Sequence, residues 1–363
     1  MNIFYDYQVF FIQKYGGASK YFINLSNQLK EKHNVKIISP IYTNYYLKNF
    51  DSNIAKKIIH LNKIYKNTRT LSRIINNYYT KIYCLINRPD IFHFTFYSDK
   101  IYLKKKFPFV ITVYDLIHEI YAKKFDYNRH FRLEYLNNAD KIICISNNTK
   151  KDLLKFYNIE EKKISVIYLG FDKAKNFKIT EESLVRDPFL LYVGDRTKYK
   201  NFNNFISAYS KSSKLKKDFK VICFGSSKFS LDEINFFNSL NLKKNQVAHI
   251  SGTDEELNFI YSRAHAFIFP SLYEGFGLPL LEAMNMGCPV ICSNTSSFPE
   301  VIDGGAETFD PTKEDDIVYK IEKVVYSDEN IQKLKLKSKE ILEKFSWEKC
   351  ASETLEVYKK LKK

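Results

Sequence analysis

The 363-residue sequence predicts an α/β protein of two doubly wound domains, each with a parallel β-sheet covered by helices on both faces. Short apolar runs rich in β-branched residues alternate with amphipathic helical stretches along the chain, and this alternation is typical of parallel sheets. Several runs are apolar throughout, as strands buried on both faces are. The length suits two domains, because one hydrophobic core rarely grows beyond about 250–300 residues.

The apolar runs give the expected strands of each domain. They lie at 35–42, 90–95, 109–114, 141–146 and 164–169 in the first half, and at 189–194, 219–225, 246–252, 266–271 and 289–294 in the second. The N-terminal run MNIFYDYQVFF carries Asp6 and no basic start, which predicts a first strand and not a signal peptide. Clear helical patterns lie at 19–30, 201–210 and 314–326.

The domain boundary is expected in the polar stretch 171–187, between the two series of strands. This gives a first domain at 1–172 and a second at 173–345. The segment 346–363 is predicted to be a terminal helix that packs back on the first domain. Two such domains that face each other leave a cleft, and ligands of these sheets bind beyond the carboxyl ends of the strands.

The formal charge of +16 indicates a polyanionic partner: nucleic acid, an anionic membrane or a phosphorylated substrate. The same lysine-rich and asparagine-rich composition is also what an AT-rich genome gives. The lysines are scattered and form no basic arm, so nucleic-acid binding is not expected. The six cysteines include no CxxC pair, which predicts reduced core residues of a cytosolic protein and no metal site.

The most informative segment is AFIFPSLYEGFGLPLLEAMNMGCPVICSN at 266–294, which indicates a strand, a loop, a helix and a further strand. Pro279 suits the first turn of the helix, and Gly287 suits its end. Seven residues separate Glu274 from Glu282. Glycines let the backbone approach a ligand, and the amides of a helix N-terminus attract phosphate. The alternative is an ordinary helix whose glutamates complement its dipole.

In this context the two glutamates resemble the EX7E motif of the retaining glycosyltransferases of family 4, which have the GT-B fold of two facing Rossmann-like domains. The resemblance covers nearly the whole chain: YVGDRTKYKNFNNFISAY at 192–209, the stretch 271–311 and FSWEKCASETLEVY at 345–358 follow the family pattern. It implies that Glu282 binds the donor ribose and Glu274 the donor sugar.

The resemblance also implies that Arg196 and Lys200 bind the diphosphate of the donor. Fixed cations there would stabilise the charge that develops on the leaving group. A lysine-rich surface loop is the alternative interpretation. Four residues of the loop that opens the helix are assigned to donor binding as well: Gly275, Phe276, Gly277 and Leu278.

In the first domain, YGGASKYF at 15–22 opens a helix after the first strand. Gly16 and Gly17 are predicted to approach the diphosphate, and Ser19 to cap the helix. Relatives carry a similar loop with a basic residue that Lys20 matches. Ser146 or Asn147 is expected to cap a later helix, and Ser296 or Ser297 the short helix after the strand at 289–294.

The loop in VITVYDLIHE at 110–119 departs from the family, whose members usually have His before the Asp. Tyr114 stands there, and a tyrosine cannot shuttle protons near neutral pH as histidine does. Asp115 and His118 are predicted to line the cleft as catalytic residues, against a structural role in the loop. His93 and Tyr97 are candidates to face the acceptor, with a packed His93 as the alternative.

The resulting hypothesis is a retaining hexosyltransferase that uses a nucleotide sugar, with GDP-mannose first and a UDP-hexose second. The acceptor is expected to be a glycan or lipid-linked oligosaccharide of a surface-polysaccharide pathway. No DxD pair follows a strand of the first domain, so metal-independent activity is expected, with no cofactor. The enzyme is expected in the cytoplasm, in peripheral contact with an anionic membrane. The rivals are a sugar-nucleotide epimerase of the same fold and a non-catalytic sugar-nucleotide-binding subunit.

Overall fold

The fold is taken from a computed structural model, which describes residues 1–98, 100–121, 129–173, 187–196 and 198–362. Its strands are β1 (Asn2–Tyr5), β2 (Asn34–Ile38), β3 (Ile41–Tyr42), β4 (Ala55–Lys56), β5 (Ile59–His60), β6 (Ile91–Phe94), β7 (Phe109–Val113), β8 (Lys141–Cys144), β9 (Ile164–Val166), β10 (Phe189–Val193), β11 (Lys220–Phe224), β12 (Val247–Ile250), β13 (Ala266–Phe269), β14 (Val290–Ser293) and β15 (Glu307–Phe309).

The helices alternate with these strands. They are α1 (Gln8–Ile12), α2 (Gly17–Leu29), α3 (Tyr45–Lys48), α4 (Lys66–Asn87), α5 (Ile117–Ile120), α6 (Arg129–Asn138), α7 (Asn147–Phe156), α8 (Phe202–Lys211), α9 (Ser213–Asp218), α10 (Leu231–Ser239), α11 (Asp254–Arg263), α12 (Leu278–Asn285), α13 (Phe298–Ile302), α14 (Glu314–Val325), α15 (Asp328–Leu342) and α16 (Trp347–Lys359).

The chain divides into two compact units. The first consists of Met1–Gly170 together with Ser346–Lys363, and the second of Phe171–Phe345. Of the polar stretch 171–187 in which the sequence places the boundary, residues 174–186 lie outside the described residues.

The first unit is built on a seven-stranded sheet in the order β4-β2-β1-β6-β7-β8-β9, and a short pair, β3-β5, lies apart from it. Neighbouring strands of the sheet are parallel; β1 pairs with β2 and β6, for example. Except for Lys141 at the start of β8, the residues of β6, β7 and β8 are buried, because helices cover both faces of the sheet.

Helix α16 completes the first unit although it ends the chain. The hydroxyl of Tyr358 lies 2.6 Å from Nδ1 of His93 on β6 and 3.4 Å from the hydroxyl of Tyr5 on β1. The helix also packs on α2. At its start the backbone approaches Gly170 so closely that a Cβ there would lie 2.2 Å from the nitrogen of Trp347.

The second unit has a six-stranded parallel sheet in the order β12-β11-β10-β13-β14-β15. Its core joins apolar residues of the strands to those of α8 and α14, among them Leu190, Phe205 and Ile321. The strand order changes direction between β10 and β13, which is where open α/β sheets place their ligands.

Most predicted strands are confirmed, and two runs differ in an informative way. The run 35–42 is divided at Pro40, which cannot donate to a ladder; its carbonyl instead accepts from the amides of Ile58 and Ile59. The N-terminal run is a strand only to Tyr5 and continues as helix α1. Strand β15 was not predicted; it is three residues long, and only one of them is buried. The six cysteines are buried free thiols.

Candidate functional site

The predicted residues of the second unit converge at the carboxyl ends of β10, β13 and β14, which are neighbours in the sheet. The loops that leave these strands are joined by hydrogen bonds. The amide of Leu272 donates to the carbonyl of Tyr199 at 2.8 Å, and the hydroxyl of Thr295 donates to the carbonyl of Leu272 at 3.1 Å. The loop after β13 is therefore fixed between its two neighbours.

The EGFG part of this loop is held by two serines of the loop after β14. The Ser296 hydroxyl accepts from the amide of Glu274 at 3.1 Å. The buried Ser297 hydroxyl lies 2.9 Å from the carbonyl of Glu274 and 3.1 Å from that of Phe276. The expectation that one of these serines caps α13 is wrong, since Ser297 stands at the N-cap without a side-chain cap bond. Both hydroxyls serve the EGFG loop instead.

Helix α12 begins directly after the loop. Gly277 at its N-cap has φ +100°, which favours glycine, and a Cβ there would lie 2.9 Å from Cδ1 of Leu280. Pro279 lies in the first turn and Gly287 follows the helix with φ +70°, as the sequence predicts. Gly275 and Phe276 are buried, Phe276 against the ring of Phe345, whereas Leu278 is half-buried.

Lys200 and Glu274 form the central ion pair of this region. Their Nζ and Oε1 atoms are 2.6 Å apart, and each side chain is 14% exposed. The ammonium also lies 5.5 Å from the ring centre of Phe269 at the end of β13. Burial lowers the pKa of Lys200, but the Glu274 carboxylate outweighs that effect, so the net pKa is raised and the lysine stays charged.

Arg196 is paired differently from Lys200. Its Nε and Nη2 atoms bond to the carboxylate of Glu233 at the start of α10, and Nη2 also donates to the carbonyl of Ser227 at 2.8 Å. The guanidinium lies 4.8 Å from the ring centre of Phe229 and is 5% exposed. Its Nη1 is buried and has no hydrogen-bond partner among the described residues. Glu233 is not among the residues predicted from the sequence, although Ser230 and Glu233 have the spacing of a capping box.

Glu282 is the fifth residue of α12 and is half-buried. Of the two glutamates of the EX7E pattern, Glu274 forms the ion pair with Lys200. Glu282 lies on the helix that follows the loop. The structure brings Lys200, Glu274 and the N-terminus of α12 together around the ends of β10 and β13.

In the first unit, Gly16 and Gly17 begin α2, with Gly16 at the N-cap. The expectation that Ser19 caps this helix is wrong: its hydroxyl donates to the Gly16 carbonyl at 2.9 Å. The side-chain carbonyl of Gln13 accepts from the Ser19 amide at 3.3 Å and takes the cap's place. Ser146 does cap α7, where its hydroxyl accepts from the Thr149 amide at 3.0 Å.

Asp115 and His118 lie together after β7. A carboxylate oxygen of Asp115 accepts from the amide of Ile117 at 3.1 Å. Burial lowers the pKa of His118, and the nearby Asp115 carboxylate opposes that effect. Tyr114, which precedes them, is buried and donates to the carbonyl of Thr95 at 2.9 Å. Burial holds the pKa of Tyr114 well above its usual value, so this tyrosine transfers no protons near neutral pH.

A buried ion pair that the sequence did not reveal supports this loop. Arg132 and Glu119 are 2.7 Å apart and almost completely buried. The same guanidinium donates to the carbonyl of Asp115 at 2.9 Å, and the hydroxyl of Tyr157 bonds to Glu119. The loop conformation around Asp115 is thus fixed from α6 and α7.

The candidates for facing an acceptor are both packed inside the first unit. His93 is fully buried and bonds to Tyr358 and to the hydroxyl of Thr112 at 2.9 Å. Tyr97 is 3% exposed and lies under the guanidinium of Arg132. The packed alternative for His93 is correct, and the expectation for Tyr97 is wrong.

The first unit also contains a cavity of about 220 Å³ near the start of α4. It is lined by apolar and basic side chains: Phe11, Ile12, Lys14, Thr43, Lys63, Ile64 and Arg69. Lys14, Lys63 and Arg69 form no ion pair with any carboxylate that the structure describes. Within the described residues, no group of three acidic, histidine or cysteine side chains is arranged to hold a metal ion.

Two family models match consecutive parts of the chain. Residues 15–175 match the model described as Glycosyltransferase Family 4, and residues 173–341 match the model described as Glycosyl transferases group 1.

Among curated proteins, the chain is 27% identical to O-antigen chain mannosyltransferase B of Escherichia coli, over 63% of this chain and 62% of that protein. It is 30% identical to O-antigen chain mannosyltransferase RfbU of Salmonella typhimurium, over 56% of this chain and 57% of that protein. The matched part is thus less than two thirds of the length of either relative.

Solved structures show the same fold. Sucrose-phosphate synthase of Thermosynechococcus elongatus has a TM-score of 0.79 at 18% identity, covering 99% of this chain and 98% of its own. Anabaena HepE in complex with UDP and glucose has a TM-score of 0.75 at 15% identity, covering 99% of each chain. The GT-B fold expected from the sequence is confirmed.

Proposed function

Because the chain belongs to the glycosyltransferases that join a family 4 domain to a group 1 domain, we propose that it transfers a hexose from a nucleoside diphosphate sugar to an acceptor hydroxyl. The observation that carries the proposal is the Lys200–Glu274 pair beside the N-terminus of α12. A cation, a carboxylate and a helix N-terminus at one sheet edge match the phosphate and hydroxyl groups of such a donor.

In the proposed complex, Glu282 accepts from the donor ribose and Glu274 from the donor sugar. Lys200, Arg196 and the backbone of Gly275, Phe276, Gly277 and Leu278 hold the diphosphate. Nη1 of Arg196 has no hydrogen-bond partner among the described residues, and a phosphate oxygen would reach it once the side chains that cover it move. Lys200 keeps its charge because Glu274 raises its pKa, so it stabilises the leaving diphosphate at neutral pH.

The proposed reaction retains the anomeric configuration and passes through no enzyme-bound sugar. The bond from the anomeric carbon to the phosphate oxygen breaks as the acceptor oxygen bonds on the same face, and the acceptor proton moves to the phosphate. Gly16, Gly17, Asp115 and His118 are assigned to this reaction from the first unit. A glycosyl adduct trapped on Asp115 or on either glutamate would contradict this route.

Mannose is the proposed sugar and GDP the proposed nucleotide, with a UDP-hexose second. Both O-antigen relatives carry mannosyltransferase in their names, which supports the sugar. The proposed acceptor is a glycan or lipid-linked oligosaccharide. The cavity is lined by basic and by apolar side chains, which suits an anionic group on an apolar chain, as in a lipid diphosphate.

We further propose that the reaction needs no metal, and that the protein works in the cytoplasm in peripheral contact with an anionic membrane. None of the described helices is long and apolar enough to span a bilayer. Unchanged turnover in excess EDTA is the expected result, and abolished turnover restored by a divalent cation would refute metal independence.

The first test is a thermal-shift titration with GDP-mannose, GDP-fucose, UDP-glucose, UDP-galactose, UDP-GlcNAc, GDP and UDP. A ligand that binds the native state raises the melting temperature by mass action. One donor is expected to shift the native protein and to lose its effect in Glu282→Ala. Glu343→Ala, an exposed glutamate of the same unit, is the matched control and is expected to respond as the native protein does.

Product analysis with the donor that binds then separates the remaining functions. Sugar transferred to a polyprenyl-diphosphate-linked or free glycan supports the proposal. Conversion of the donor without an acceptor would identify an epimerase. Binding without any product would favour a non-catalytic subunit, in agreement with the buried Tyr114 at the family's histidine position.

A further inference from the structure

Helix α4 exposes a stripe of large apolar side chains to solvent. Leu71, Ile75, Tyr78, Ile82 and Leu85 are 60%, 43%, 62%, 56% and 60% exposed. They recur at intervals of four and three residues, so they lie on one face of the 22-residue helix. A soluble monomer rarely leaves a contiguous apolar surface of this kind without a partner.

The opposite face of α4 is buried and carries more polar side chains than the buried face of a surface helix usually does. Ser72, Asn76 and Thr80 are buried there together with Cys84, and Tyr79 and Tyr83 pack against the core of the first unit. The side chain of Asn76 accepts from the amide of Ile41 at 2.9 Å and donates to its carbonyl at 3.0 Å. The helix is therefore held by hydrogen bonds as well as by core packing, and its exposed apolar stripe is left for a partner outside the unit.

The charge around the helix identifies that partner. Residues 52–89 contain no acidic residue and eight basic ones: Lys56, Lys57, Lys63, Lys66, Arg69, Arg73, Lys81 and Arg88. Two copies that paired through this helix would bring like charges together, which opposes association. An anionic lipid surface complements the charge and accepts the apolar stripe.

We propose that α4 lies in the interface of an anionic membrane and docks the first unit on it through Leu71, Ile75, Tyr78, Ile82 and Leu85. This names the surface for the membrane contact of the proposed function. Vesicle binding is measured without donor or acceptor, so its failure and a failure of glycosyl transfer are separate results.

The first experiment is co-sedimentation of the full chain with vesicles of phosphatidylcholine alone or mixed with phosphatidylglycerol. The native protein is expected to bind the mixed vesicles, more weakly as salt is raised. Ile82→Gln combined with Leu85→Gln is expected to weaken binding about tenfold or more. Leu336→Gln, at a 64% exposed leucine of α15, is the matched control and keeps native binding.

A second experiment locates the contact. The native cysteines are all buried, so Ile82→Cys and Leu336→Cys each provide a selectively reactive thiol for an environment-sensitive dye. A blue shift on adding mixed vesicles is expected at position 82 and not at 336. Equal shifts at both positions, or none at 82 while the protein sediments with vesicles, would overturn the proposal. So would a lipid-free dimer that the double variant converts to a monomer.

Discussion

Lys200 and Glu274 form an ion pair, with 2.6 Å between Nζ and Oε1, that joins the loop after β10 to the loop after β13. The pair lies at the point where the strand order of the second sheet changes direction. Each partner has a second task in the proposed complex, because the ammonium faces the diphosphate and the carboxylate faces the sugar. The two side chains can therefore be tested for separate effects on donor binding.

Lys200→Ala is expected to lower kcat/KM by about 100-fold, since it removes a fixed cation from the leaving group. Glu274→Gln keeps the shape and one acceptor oxygen, so it is expected to bind free nucleoside diphosphate normally and to lose affinity only for the nucleotide sugar. Isothermal titration with both ligands measures the difference. Lys344→Ala, which breaks the exposed pair with Asp303, is the control. Equal losses for nucleotide and nucleotide sugar in Glu274→Gln would contradict the sugar contact.

Arg196→Lys is expected to impair turnover nearly as much as Arg196→Ala. The guanidinium bonds to Glu233 and to the Ser227 carbonyl and keeps Nη1 without a hydrogen-bond partner among the described residues, whereas an ammonium cannot make these contacts from one rigid plane. Donor affinity and melting temperature are measured together. A lower melting temperature with native donor affinity in both variants would instead assign Arg196 a structural role through Glu233.

Ser297→Ala is expected to weaken donor binding although Ser297 is assigned no donor contact. Its hydroxyl bonds to the carbonyls of Glu274 and Phe276, and leaving a buried carbonyl unpaired costs about 1–3 kcal/mol. The freed loop then presents Glu274 less well, which raises KM more than it lowers kcat. Ser297→Thr restores the hydroxyl and is expected to recover affinity. Native KM in a destabilised Ser297→Ala protein would show that the serine only supports the fold.

How far the sequence predicts this site depends on how far apart the interacting residues are in the chain. The EGFG loop and the start of α12 follow from adjacent residues and were predicted. The partners of Lys200 and Arg196 lie 74 and 37 residues away, and they meet only through the order and register of neighbouring strands. The sequence around Ser297 predicts a helix cap because the carbonyls that its hydroxyl contacts belong to another loop, which neighbouring residues do not reveal.

Helix α4 shows the same limit of prediction from sequence. Its period predicts an amphipathic helix, but period alone does not tell which face is buried. The pairing of Asn76 with the backbone of Ile41 decides that, and it depends on the tertiary structure.

Acid is expected to loosen the first unit through His93. Burial lowers the pKa of His93 to about 3 from 6.5, so the unfolded chain binds more protons between these two values. Its contribution to stability is therefore complete above pH 6.5 and falls as the pH drops towards 3, by up to about 1.4 kcal/mol per pH unit. Urea unfolding at pH 5 and pH 7 should show a smaller difference for His93→Gln than for the native protein.

Tyr358→Phe is the control for this effect, because it removes the hydroxyl at Nδ1 but leaves the buried imidazole. It is expected to lower stability at both pH values and to keep the native pH dependence. If His93→Gln has the same pH dependence as the native protein, other groups cause the acid sensitivity.

Gly277→Ala is expected to damage both stability and donor binding, and Gly287→Ala separates the causes. Both glycines have positive φ, at +100° and +70°, so both alanines carry a backbone penalty of about 1–3 kcal/mol. Only at Gly277 does the new Cβ also approach Leu280 at 2.9 Å and Phe298 at 3.1 Å, whereas Gly287 has open space. Gly277→Ala must therefore displace the side chain of Leu280 in the first turn of α12, and its donor affinity is expected to fall below that of Gly287→Ala at equal occupancy of the folded state. Equal affinities in the two variants would mean that the packing around the start of α12 does not matter for holding the diphosphate.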